Sequence, residues 1–166
     1  MKSSYRRVLG CQMCHRVYRR LHRGELLPPE CCPILKVGQK IKYPENIDEI
    51  SLIQDEKTIE LSLSNLVNNA IKYSPENSVI EIGIKQDAFH TTFNIKDNGM
   101  GIPEADQKNI FNRYFRAENV LNTQGTGIGL NIVKNHIENL GGSITFSSIE
   151  NKGSTFVVTL PNKPIK

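Results

Sequence analysis

Between Asp55 and Tyr73 the chain reads DEKTIELSLSNLVNNAIKY, and its apolar residues recur at the spacing of a helix. Ile59, Leu63, Leu66, Val67, Ala70 and Ile71 form one stripe. A helix with such a stripe must bury that face against another layer. Tyr73-Ser74-Pro75 ends it, because a residue before proline avoids helical angles. The opposite face carries Asn65, Asn69 and Lys72 at i, i+4 and i+7, with Asn68 beside them.

The layer it packs on follows directly. Ile80, Ile82 and Ile84 alternate with Glu81, Gly83 and Lys85, and Thr91, Phe93 and Ile95 alternate with Thr92, Asn94 and Lys96. That is the period of a sheet with one buried face. Pro103 and Glu104 open a shorter helical pattern with Ile110, Phe111, Tyr114 and Phe115 on one side, and residues 117–126 read as a polar loop. A second long helix is expected from about Gly127, with Ile128, Ile132, Val133, Ile137 and Leu140 as its stripe and Gly141-Gly142 as its stop. Two strands, around 143–149 and 154–160, are joined by a turn at Asn151-Lys152-Gly153. Helices and strands interleave without regular βαβ repetition. The expected fold is α+β, a two-layer sandwich in which helices cover one face of a mixed sheet.

The first part of the chain differs in composition. Residues 1–32 hold seven basic and two acidic residues, net +5, while residues 33–166 hold 14 and 15, net −1. All four cysteines lie at or before Cys32, the first Ile is Ile34, and the remainder contains 19 Ile. The expected division is a basic leader over 1–36, poorly ordered or non-native, and a domain over 37–166. Cys11-Gln12-Met13-Cys14-His15 has the spacing of covalent haem attachment. That chemistry requires export, and the first twenty residues lack the apolar stretch of a signal peptide. Cys31 and Cys32 are adjacent, a poor second pair for zinc. No run approaches the 18 or more apolar residues of a membrane helix. A cytoplasmic domain with no nucleic-acid partner, and with no membrane segment in this chain, is therefore expected.

Three segments ask for more than folding. Asn is a mediocre helix former, yet three cluster here, and an amide oxygen suits Mg²⁺ beside phosphates. Asp97-Asn98-Gly99-Met100-Gly101-Ile102-Pro103 follows a strand; its carboxylate could accept from an exocyclic amine, and its glycines let backbone approach a flat ligand. Taken alone, Asn-Gly is also an ordinary turn. Gly125-Thr126-Gly127-Ile128-Gly129-Leu130 opens a helix and offers backbone amides to an anion. Its spacing fits neither the Walker lysine loop nor the dinucleotide fingerprint.

In order and spacing these segments resemble the nucleotide-binding domain of sensor histidine kinases, gyrase-type ATPases and anti-sigma serine kinases. Asn65–Tyr73 is similar to the N box, Asp97–Gly101 to the first glycine box, Ile110–Arg116 to the F box and Gly125–Leu130 to the second glycine box. The resemblance spans about residues 38–161. The F box and the final GGSITFSSIENKGSTFVVTLP are most similar to the catalytic, ATP-binding domain of sensor histidine kinases.

The resemblance implies ATP and Mg²⁺ as cofactors and assigns roles. Asp97 accepts from the adenine amino group, and Gly99, Gly101 and Ile102 shape its pocket. Asn69 ligates Mg²⁺, and Asn65 lies beside the phosphates. Lys72 and Tyr73 flank the nucleotide. Gly125, Thr126, Gly127, Gly129 and Leu130 let residues 117–126 act as a lid. Arg113 and Arg116 are candidates for the γ-phosphate, and Phe111 and Phe115 for anchoring the lid. Where the ATPases and serine kinases place a glutamate base, this chain has Asn65, and an amide is no base near pH 7. A site without a base suits an acceptor that is already nucleophilic, such as imidazole. The implied partners are a dimerisation domain bearing the acceptor histidine and, indirectly, a response regulator. His15, His22, His90 and His136 lack the acceptor pattern. A nucleotide-binding regulatory module without transfer activity and an anti-sigma-type serine kinase remain as alternatives.

Overall fold

The computed structural model describes residues 35–43 and 50–164. The expectations for the cysteines, His15 and His22 concern residues outside these. Helix α1 spans Glu56–Tyr73 and begins where Asp55 accepts from the Thr58 amide at 2.7 Å. An oxygen acceptor at this position satisfies one of the free amides of the first turn. All six residues of the expected stripe are buried, and Ser62 joins them by donating to the Thr58 carbonyl.

Five strands form one mixed sheet: β1 Lys40–Lys42, β2 Val79–Gln86, β3 His90–Lys96, β4 Ser143–Ile149 and β5 Gly153–Pro161. Their order is β1-β2-β3-β5-β4, with β1 parallel to β2 and the remaining pairs antiparallel. The register sets Ile82 opposite Ile95, Phe93 opposite Val158 and Phe146 opposite Phe156. It therefore puts the inward residues of successive strands side by side. Ile80, Ile82, Phe93, Ile95, Phe156, Val158 and Leu160 close the core against α1 and against Val133 and Ile137 of helix α3, Gly129–Asn139. The outer face carries Glu81, Gly83, Lys85, Thr92, Asn94 and Lys96, with Lys96 paired to Glu81 at 2.8 Å.

Four expectations differ from the structure. The helical pattern from Pro103 yields one turn, α2 Glu104–Gln107. Beyond it the chain turns irregularly: Tyr114 has φ 65°, donates its amide to the Gly127 carbonyl and is exposed, whereas Ile110 is buried. A bulky residue in the left-handed region cannot continue a helix. In α3, Ile132 points to solvent, because α1 covers only the side of α3 that bears Val133 and Ile137. Within the polar loop, Glu118–Val120 form a short 3₁₀ turn. Leu35 packs on the core, and Lys36 donates to the carbonyls of Lys72 and Ser74, so both associate with the domain. Among the described residues no helix is long and apolar enough to cross a membrane.

Candidate functional site

A cavity of about 270 Å³ opens between the second half of α1, the turn after β3, the 3₁₀ turn and the start of α3. Asn65, Asn69, Lys72 and Tyr73 reach it from one helix face, because positions three, four and seven apart project the same way. Asp97, Gly101 and Ile102 line it from the turn after β3, as do Gly125, Thr126, Gly127, Gly129 and Leu130 from the glycine-rich segment.

Asp97 is buried at the end of β3. Its Oδ1 accepts from the Gly99 amide at 2.8 Å and from the Ser154 amide at 3.2 Å. Among the described residues Oδ2 has no hydrogen-bond partner, and it is left to the cavity. Burial pushes the Asp97 carboxyl above the usual carboxylate range, and the two amides pull the other way. Gly99 is held by close approach: a Cβ there would lie 2.6 Å from the Tyr73 carbonyl oxygen and 2.8 Å from Asp97 Oδ1. The Met100 amide donates to that same Tyr73 carbonyl at 3.2 Å, which locks the turn to the end of α1.

On the helix side of the cavity, Asn69 donates through Nδ2 to Asn65 Oδ1 at 3.3 Å, leaving Asn69 Oδ1 for a ligand. Gly129 sits against Asn65, where a Cβ would be 2.7 Å from Oδ1. Among the described residues two cations bond carbonyls of the 117–126 loop. Lys72 Nζ donates to the Gln124 carbonyl and to the Tyr73 hydroxyl, the latter at 3.2 Å. Arg116 Nη2 donates to the carbonyls of Val120 and Thr123.

Arg113 is not brought to the cavity: its guanidinium lies over the exposed Tyr114 ring, 4.9 Å from the centroid. Gly99 shapes the wall without lining it. Phe115 lines the cavity, whereas Phe111 stands edge-on to Phe146, 5.8 Å between centroids. The sequence reading missed Ser154, Phe156, Ile110 and Asn119, which also line it. Ser154 follows the turn glycine of the last hairpin, and only its pairing with Asp97 gives it away. Asn119 lies in a polar stretch with no period to mark it. His90 is exposed, 3.9 Å from Asp87, and His136 lies 3.4 Å from Ser62 Oγ between the two long helices.

Residues 54–164 match the family described as histidine kinase-, DNA gyrase B-, and HSP90-like ATPase. Among curated relatives, the sensor histidine kinase WalK of Bacillus subtilis is 34% identical over 131 residues, covering 75% of this chain and 21% of that protein. The adaptive-response sensory kinase SasA of Synechocystis is 36% identical over 131 residues, covering 76% and 33%. The chain thus spans between a fifth and a third of these two relatives' length. The catalytic domain of histidine kinase ThkA, in a nucleotide-free form, superposes with a TM-score of 0.64 at 30% identity, covering 77% of this chain and 80% of that one. The mycobacterial sensor histidine kinase MprB shares the fold, with a TM-score of 0.67 at 24% identity. The chain belongs to the histidine kinase-, DNA gyrase B- and HSP90-like ATPase family, as an ATP-binding catalytic domain of the histidine kinase type.

Proposed function

We propose that this domain transfers the γ-phosphoryl group of ATP to a histidine supplied by a dimerisation domain. One observation carries the reading. Among the described residues lining the cavity Asp97 is the only carboxylate, and its Oδ1 is held by two amides. Among the described residues that line the cavity, none besides Asp97 is a carboxylate or an imidazole that could take a proton from water or from a serine hydroxyl. An imidazole nitrogen needs no such help. Its lone pair forms the P–N bond as the bond from the γ-phosphorus to the bridging oxygen breaks, and ADP leaves. The protein's share is positioning and charge neutralisation.

In this reading Asp97 Oδ2 accepts from the exocyclic amine of adenine, and Lys72 and Arg116 exchange their lid carbonyls for phosphate oxygens. Mg²⁺ fits Asn69, whose Oδ1 is free, and when bound it would neutralise phosphate charge. Among the described residues no cluster of three or more His, Cys, Asp or Glu side chains is placed to hold a metal. The ion would therefore rest on amide and phosphate oxygens and its own waters, as Mg²⁺ commonly does. A cytoplasmic location, with a response regulator taking the phosphoryl group onward, completes the reading.

The test is transfer in trans. The chain is mixed with a separately purified dimerisation domain of a sensor kinase relative and γ-labelled ATP. Label on that domain that is acid-labile, and absent when its acceptor histidine is replaced by Gln, is expected. Acid-stable label on serine, or release of free phosphate alone, would overturn the proposal.

A further inference from the structure

Asn119, in the 3₁₀ turn that begins the lid, lines the cavity. Its Nδ2 donates to the Gly101 carbonyl at 3.1 Å and to the Met100 carbonyl at 3.4 Å. This fixes the amide's orientation, since the flipped form would set oxygen against two carbonyl oxygens. Oδ1 is then buried, and among the described residues it has no hydrogen-bond partner. A buried acceptor left unpaired costs more than an ordinary hydrogen bond returns, so such an atom points to a donor supplied by a ligand.

The inference rests on the nucleotide reading above. A triphosphate offers acceptors only. The donors of ATP are its ribose hydroxyls and its exocyclic amine, which has two N–H groups. Asn119 is fastened to Met100 and Gly101, in the same turn as Asp97, and Asn119 and Asp97 both line the cavity. Asp97 Oδ2 takes one N–H of the amine. We infer that Asn119 Oδ1 takes the other, so that the first residues of the lid read the base and bind the lid to an occupied base pocket.

The experiment titrates ATP and purine riboside triphosphate, which carries hydrogen in place of the 6-amino group, into the parent chain and into Asn119→Ala. Loss of the Nδ2 bonds weakens both nucleotides alike. Loss of the Oδ1 acceptor weakens ATP alone, so ATP affinity is expected to fall about fivefold more than that of the amine-free nucleotide. Equal losses would mean a contact to ribose or a purely structural role, and would overturn the inference, as would no loss for ATP. Asn119→Ser gives the same comparison should the alanine variant not fold. If the parent itself binds no ATP, the nucleotide reading fails instead.

Discussion

Asp97 meets two conflicting demands. The carboxylate must be buried to meet a base, and burial disfavours its charge. The folded-state pKa is raised above the usual value of 3.8, so the native state binds more protons than the unfolded one in the window between them. Stability therefore rises as pH falls through that window, and the penalty is fully present at neutral pH. Asp97→Asn keeps the Oδ1 acceptor and removes the charge. It is expected to leave the empty domain as stable as the parent or more so, with the advantage shrinking in thermal melts from pH 7 to pH 4. At the same time its Nδ2 would face the amine, and ATP affinity should fall by about 10–100-fold, the range for a lost hydrogen bond to a charged group. Gly99→Ala tests the neighbouring close approach. A Cβ at 2.6 Å from backbone oxygen cannot be relieved by a rotamer change, and a loss of about 1–3 kcal/mol in denaturant unfolding is expected.

Two elements set how the site behaves. The end of α1 is held by Gln39, which is buried and donates through Nε2 to the carbonyls of Ile71, Ser74 and Pro75. These satisfy carbonyls left open at a helix C-terminus. Gln39→Ala should cost about 1–3 kcal/mol in equilibrium unfolding, because it leaves the Ile71 carbonyl unpaired, while the Ser74 carbonyl keeps Lys36 and the Pro75 carbonyl keeps Ser78. The loop over residues 117–126 is the second element, and it is tied to the cavity by Lys72 and Arg116. With Arg116→Ala, amide exchange over residues 117–126 should quicken about tenfold without nucleotide, while β3 and β5 stay protected. Exchange that quickens across the sheet as well would show Arg116 acting on the whole fold. The long elements were legible because burial imposes a period. Residues 110–116 were not: Tyr114 escapes its apparent helical stripe through a left-handed backbone tied to Gly127, a contact thirteen residues away that no local pattern reveals. Strand β1 is three residues long, too short to show a period.

On the scale of the molecule, the sheet and its two long helices bring together three segments far apart in sequence. The site was legible to the extent that its residues belong to those segments: Asn65, Asn69, Lys72, Asp97 and the 125–130 glycines all meet in one cavity. Ser154 and Asn119 were not legible, since each acts through a partner the fold supplies, Asp97 for one and Gly101 for the other. The central claim is that this cavity binds ATP through Asp97. Calorimetric titration of ATP into the parent chain and into Asp97→Asn, with and without Mg²⁺, tests it most directly. Binding by the parent that Mg²⁺ strengthens, and that falls at least about tenfold in the folded variant, is the predicted result. A folded parent that gives no binding, or a variant that binds ATP as tightly as the parent, would contradict it.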